Sequence, residues 1–251
     1  MNVSLFQAAA ALEGNLQWQQ VIAQNLAASS APAFKRSDIS FHTIQAGIIG
    51  AGSNDVMAQE IPTLLPSPSI NMTFLQGTLQ PTGDKADMAL QGPGFFKIQR
   101  ADGSFAYTRD GGFKMDADGT MLDKQGNGFM TEVDAPITLN PKRSHDTKIT
   151  ENGDISQGAG VVGTLGVFEF RNPSQLRPVG GGYFLPQPGD PPVAATTTTV
   201  HHETAEQSNV VPTKEVSTLL LALRHYEANQ KVIQMHDERM GRMIQELSAT
   251  T

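Results

Sequence analysis

Cysteine is absent from the 251 residues, which excludes a disulfide framework, Cys-ligated zinc, iron–sulfur clusters and thiol catalysis. Positive charge is scarce: 18 Lys and Arg stand against 25 Asp and Glu, a net charge of −7. That sign is wrong for a protein that wraps nucleic acid or an anionic membrane, so no nucleic-acid partner is expected. No apolar run approaches the roughly eighteen residues of a membrane span, so no direct membrane insertion is expected either. The first eleven residues carry no Lys or Arg, and Gln7 and Glu13 interrupt their apolar stretch, unlike a secretory signal. A product that leaves the cytoplasm would need another route. Aromatic residues make up 6% and charged residues 17%, whereas Gly (24) and Pro (15) are plentiful. This mix favours turn-rich β structure, and the length suffices for one large β domain or two ordinary ones.

Helical periodicity is confined to the two ends. With Leu5 as the first core position, Ala8, Leu12, Asn15, Gln19, Ile22 and Leu26 fall on one seam, and Trp18 and Val21 lie beside it. The spacing predicts a helix of about 26 residues, roughly 40 Å long, stopped by Ser29-Ser30-Ala31-Pro32 because the residue before proline avoids helical geometry. Near the other end Val216, Leu219, Leu223, Tyr226, Gln230, Ile233, Asp237, Met240, Ile244 and Leu247 follow steps of three and four. Pro212 suits a first helical position, Glu215 suits the positive end of the dipole, and Glu227–Lys231 and Glu238–Arg242 are favourable pairs four apart.

Between the helices that period disappears. Asp102-Gly103, Asp110-Gly111 and Asp118-Gly119 recur every eight residues, and Asn127-Gly128 follows. Such dipeptides tolerate the positive φ of tight turns, so short antiparallel strands are expected at Phe95–Gln99, Phe105–Thr108, Phe113–Met115 and Met121–Leu122 as a meander. Further strands are expected at Ile137–Leu139, Thr147–Thr150, Gly166–Arg171 and Tyr183–Leu185. The resulting fold class is mainly β: a β-rich central domain flanked by N- and C-terminal α-helices that form a coiled-coil layer. The expected division is an N-terminal helix at 1–30, an extended linker at 31–75 with one edge strand, the β-rich domain at 76–195, a linker at 196–213 and a C-terminal helix at 214–251.

Motifs that suggest chemistry yield to plainer readings. Gly92-Pro93-Gly94-Phe95-Phe96 lacks the third glycine of a phosphate-binding loop and leads into a strand, so it reads as a strand-entry turn. Asp116-Ala117-Asp118-Gly119 lacks the further ligands of a calcium loop. His201-His202-Glu203 lies on extended chain, where neighbours point to opposite sides. His225 and His236 flank the C-terminal seam, where a surface or packing role is the default. No Gly-x-Ser-x-Gly or His-Glu-x-x-His is present. No catalytic, cofactor or metal site is expected.

The architectural signal is the stronger one. Two distant helices carry seams that a β meander cannot obviously cover, and polar members Asn15, Gln19, Gln230 and Asp237 would weaken an isolated two-helix coil. Either both fold back on the β core, or they pair with each other and with neighbouring subunits. The proposed packing residues are Leu5, Leu12, Ile22 and Leu26 in the first helix and Val216, Leu219, Leu223, Tyr226, Ile233 and Met240 in the last. A β-solenoid or carbohydrate-binding adhesive module with helical ends is the alternative, since eight-residue turn spacing also suits a solenoid.

Several blocks resemble a known family. They are Gln24-Asn25-Leu26-Ala27 with Phe34-Lys35-Arg36, Gln76-Gly77-Thr78-Leu79-Gln80-Pro81-Thr82-Gly83, Asp87 through Phe96, Tyr107 through Phe113, and Ser208-Asn209-Val210-Val211 with Glu215, Tyr226 through Lys231 and Asp237. Together they are similar to the bacterial flagellar basal-body rod and hook proteins, with Gly92, Gly94, Asp110 and Gly111 as family-motif turns. The chain departs at Ser30-Ala31-Pro32-Ala33, where the family pattern usually has a Thr and a Gly before the Phe. The resemblance implies a structural subunit that polymerises into a helical tube, transmits torque and encloses the export channel. It further implies self-association, contacts with other rod and hook proteins, passage through the flagellar type III export apparatus without a cleaved signal, and a place in the periplasmic rod. Proximal and distal rod positions both stay open.

Overall fold

The computed structural model describes residues 3–49, 61–158 and 160–249. Helix α1 (Val3–Ala27) is followed by two long strands, β1 (Ser37–Ile49) and β2 (Ile61–Met72). Short strands come next: β3 (Leu79–Pro81), β4 (Met88–Gln91), β5 (Phe95–Gln99), β6 (Phe105–Thr108), β7 (Phe113–Met115), β8 (Met121–Asp123) and β9 (Gly128–Phe129). After them run β10 (Thr147–Ile149), β11 (Asp154–Gln157), β12 (Gly160–Thr164), β13 (Val167–Glu169), β14 (Arg177–Pro178) and β15 (Tyr183–Leu185). β16 (Val193–Ala194), β17 (Thr199–His202) and β18 (Thr204–Glu206) lead to helix α2 (Pro212–Ala249). The chain divides into two compact units: one holds α1, the β1–β2 ribbon and α2, and the other comprises Ala28–Arg36 and Met72–Val210. The expected class, β-rich with a helix at each end, matches this architecture.

In the β unit the main sheet runs in the order β14-β15-β6-β5-β9-β8-β7, and β13 joins β5 as well. Strand alternation sends Phe96 and Ile98 of β5 to one face and Phe95 and Lys97 to the other. Phe96 and Ile98 enter a core with Met121, Phe129, Ile137, Leu165 and Val200. Phe95 packs with Tyr107, Phe168, Phe170, Leu176 and Phe184. Its ring meets that of Phe170 edge to face at 5.6 Å, and Tyr107 meets Phe170 at 4.9 Å, the arrangement that aromatic quadrupoles favour. Lys97 pairs with Asp134 and lies over the rings of Phe105 and Phe168.

The expected strands β5 to β8 are present, but they do not form a simple meander. β6 pairs with β5, and the chain then crosses to the far edge, where β7 pairs with β8. Asp110-Gly111 is therefore a crossover bend and not a hairpin turn. Gly111 has no positive φ there. A Cβ would stand 2.0 Å from the Met88 carbonyl oxygen, so close backbone approach is what requires glycine. The pairings described between the short strands are all antiparallel, which a stacked parallel solenoid would not show. Ile137–Leu139 contributes buried side chains and one isolated bridge, Thr138 to Thr120, instead of a strand.

Both expected linkers are corrected. Residues 37–49 and 61–72 pair as a two-stranded ribbon, while positions 50–60 of that expectation lie outside the described residues. Pro62, Pro66 and Pro68 disguise β2, yet they share one parity, so their missing N–H groups fall on a single edge, where a two-stranded ribbon has no ladder to lose. Residues 31–36 belong to the β unit. Within 196–213, β17 pairs with β4 and β18 with β3, which carries the β unit to Val210.

Candidate functional site

In α1 the expected seam is the buried face. Ala8, Asn15 and Ile22 are buried, and Leu12, Gln19 and Leu26 are half-buried. The side chain of Leu5 lies outside the described residues. Val21 and Asn25 are buried too. The Asn25 side chain accepts from Ser37 N and donates to Ser37 O, at 2.9 and 2.8 Å, and its amide also donates to Glu215 Oε2 at 3.3 Å. A buried polar residue beside the seam is thus satisfied by the chain's own return.

In α2 the seam is rotated from the expected one. Glu215 and Ala222 are fully buried, and Leu219, Tyr226, Asn229, Ile233 and His236 are half-buried. These positions follow steps of four and three that share only Leu219, Tyr226 and Ile233 with the expected seam. Val216, Leu223 and Met240 are exposed by 45%, 41% and 45%. The reason is that α2 is apolar over more of its circumference than one partner helix can cover, and small Ala222 lets that partner approach closely.

Asn25 meets Glu215, and the Trp18 ring stands 6.0 Å from His225, so the helices run antiparallel. At that register Val3 falls opposite the region near position 237. The last dozen or so residues of α2, roughly 18 Å at the helical rise, extend past the described start of α1. Met240 and Ile244 continue the buried stripe of Ile233 and His236 into this overhang and are exposed there, with Met243 beside them. Val216, Leu220 and Leu223 form an exposed flank on one side, and Leu221, Val232 and Met235 form one on the other.

A second feature lies in the β unit, where family-like blocks from distant parts of the chain converge on Glu206. Its Oε1 accepts from Lys35 Nζ at 2.6 Å and from Gly77 N at 2.8 Å. Its Oε2 is 3.8 Å from Arg109 Nη1. Lys35 Nζ also donates to Leu75 O, and Arg109 Nη2 donates to Gly92 O at 2.7 Å. The Arg109 guanidinium lies over the Phe95 ring. All three charged side chains are buried. Burial lowers the pKa of Lys35 and of Arg109, and the Glu206 charge opposes that shift in both. Asn209 completes the cluster: its Oδ1 accepts from Arg36 N, and its amide donates to Thr73 O and Leu75 O. Sequence reasoning missed Glu206, which stands in a stretch read as linker, and it assigned Lys35 and Arg109 only to motifs.

The remaining motif residues hold turns and crossings. Gly92 adopts φ +123°, and Gly94 N donates to Thr198 Oγ1 at 2.9 Å. Asp110 accepts from Gly112 N and pairs with Lys124 at 2.9 Å. On β17, His201 Nε2 bonds to Gln91 Oε1 and His202 Nε2 to Lys85 O, so the two imidazoles diverge. Among the described residues no three His, Asp or Glu side chains group to hold a metal ion, and no helix is long and apolar enough to cross a membrane.

Comparison with known proteins connects these features. A family model described as the flagellar hook protein FlgE/F/G D1 domain matches residues 89–157, and one described as the flagellar basal body rod FlgEFG protein C-terminal matches residues 203–246. The flagellar basal-body rod protein FlgG of Buchnera aphidicola subsp. Schizaphis graminum is 31% identical over 249 residues, covering 90% of this chain and 92% of that relative. FlgG of Agrobacterium fabrum is 29% identical over 239 residues, with 87% and 89% covered. FlgF of Caulobacter vibrioides is 28% identical over 215 residues, with 85% and 84% covered. The comparisons lend no support to the adhesive-module alternative. With a relative 31% identical over 90% of its length, and two family models matching within its β unit and its C-terminal part, the chain belongs to the flagellar basal-body rod protein family.

Proposed function

We propose that the chain is a structural, non-enzymatic subunit of the bacterial flagellar rod, which polymerises into a helical tube that transmits torque and encloses the export channel. In this reading α1 and α2 join an inner coiled-coil layer, and the packing set is Leu5, Leu12, Ile22, Leu26, Val216, Leu219, Leu223, Tyr226, Ile233 and Met240. The observation that carries it is the apolar surface α2 leaves open: Val216, Leu220, Leu221, Leu223, Val232, Met235, Met240, Met243 and Ile244 are all exposed, more than a solitary domain ordinarily leaves in one place. Torque must cross many subunit contacts, so large interlocking surfaces serve where an enzyme would need a pocket. The partners are further copies of the chain and other rod and hook proteins. The route is the flagellar type III export apparatus without a cleaved signal, and the location is the periplasmic rod.

Leu223→Asp or Ile233→Asp is expected to abolish incorporation into the rod while the β unit keeps its thermal transition. Normal motility in such a strain would refute the assignment. Hydrogen exchange on the purified chain is expected to show residues 3–27 and 212–249 weakly protected alone and strongly protected after polymerisation.

A further inference from the structure

Residues 33–36 leave α1's side of the chain and lie on the β unit, and more of their described hydrogen bonds go to 206–209 than to any other segment. Ala33 N donates to Glu206 O at 2.8 Å, Phe34 O accepts from Asn209 N at 3.3 Å, and Arg36 N donates to Asn209 Oδ1 at 2.7 Å. Lys35 contributes its ion pair with Glu206. Outside 206–209, Arg36 O accepts from Thr73 N, Lys35 Nζ donates to Leu75 O, and Phe34 N bonds locally to Ala31 O. Buried backbone groups and a buried ammonium left without these partners would each carry a desolvation penalty. The reverse dependence also holds, because a buried Glu206 without Lys35 would keep only the Gly77 N–H as a close donor.

We infer that residues 33–36 and 204–209, more than 165 positions apart in sequence, dock on the β unit as one cooperative clamp: 33–36 stay down only with 206–209 in place, and 204–209, which also keep their ladder to β3 and the Gln207 N bond to Thr78 O, are held more tightly with 33–36 than without. The Lys35–Glu206–Arg109 cluster is its latch. Gly77 belongs to the same device, since a Cβ there would stand 1.8 Å from Gln207 O and block the seat of the returning segment. A chain whose C-terminal segment has not yet arrived therefore keeps its N-terminal segment undocked, which couples the two ends before any second molecule is involved.

Hydrogen exchange and limited trypsin digestion of the full-length chain test this. Glu206→Ala is expected to raise exchange at 33–36, and cleavage after Lys35 and Arg36, by at least about tenfold, the scale of losing one partner of a buried ion pair. Lys35→Ala is expected to raise exchange at 204–209 by a similar factor, because a coupling free energy is reciprocal. Asn209→Ala, which keeps the ion pair, is expected to give a smaller increase at 33–36. In all three variants the amides of β5 and β6 are expected to keep wild-type protection. Persistent protection of 33–36 in Glu206→Ala, or of 204–209 in Lys35→Ala, overturns the inference. So does a loss of protection in β5 and β6 that parallels the loss in the two segments, since the cluster would then be ordinary core.

Discussion

Ile98 in the β unit and Ile22 in the helical unit are equally hidden, at 0% and 2% exposure, yet their surroundings differ. Around Ile98 the sheet closes on two aromatic-rich faces and satisfies its charges internally through Lys97–Asp134 and Lys35–Glu206. Around Ile22 the burial comes from the inner side of a helix pair whose second member still exposes large apolar side chains on both flanks and beyond its partner's described start. The lesson is that one half of this protein finishes its own folding, whereas the other half keeps apolar surface available.

The sharpest way to break that comparison is Phe96→Ala. Losing a fully buried ring is expected to cost about 3–5 kcal/mol, lowering the unfolding midpoint of the β unit read by near-ultraviolet tyrosine signal. Trp18, the single tryptophan, lies against Phe41 and His225 in the helical unit. Its fluorescence transition is expected to move much less, and an equal shift would mean that the two units unfold as one block. A smaller contrast uses glycines. Gly111→Ala forces a Cβ against the Met88 carbonyl and is expected to destabilise the β unit by about 1–3 kcal/mol. Gly241→Ala meets nothing within 4 Å in α2 and is expected to stabilise that helix by about 0.5–1 kcal/mol, read by circular dichroism at 222 nm.

Alkaline titration separates the units by chemistry. Burial, helped by the Asp134 charge, raises the Tyr107 phenol from 10.0 to about 12. A folded-state pKa raised above the unfolded value favours the native state fully below pH 10, and that contribution is lost as pH climbs toward 12. Burial and the Asp123 hydrogen bond raise Tyr183 as well. The β unit is thus expected to weaken above pH 10, with phenolate absorbance at 295 nm appearing late. The smallest effect is expected from Leu220→Ser, at a position 56% exposed: a change within about 0.5 kcal/mol in monomer stability, with polymerisation nonetheless impaired. Unimpaired polymerisation would remove this flank from the contact surface.

Much of the fold was legible because its signals are local. Both helices follow from three-and-four spacing and a proline stop or start, and β5 to β8 follow from runs bounded by Asp-Gly. The buried face of α1 around Ile22 was legible because Leu12, Ile22 and Leu26 leave one apolar stripe. Which α2 stripe α1 covers was not legible at Val216 and Leu223, because two adjacent stripes there are equally apolar and only contact with α1 chooses between them. Glu206 was invisible for a related reason: an acidic residue in a Thr- and His-rich stretch looks like solvated linker until Lys35, Gly77 and Arg109 surround it.

By itself the amino-acid sequence determined where helices begin and end, where turns interrupt strands, and that no thiol chemistry is possible, since each depends on residues within a few positions of one another. Tertiary structure alone decided which strands pair, that β17 and β18 return to β4 and β3, which stripe of α2 is covered, and that Lys35 meets Glu206. Those outcomes depend on groups far apart in the chain competing for the same neighbours, and the winner is set by the burial and hydrogen bonding of the whole fold, which no short window of residues contains.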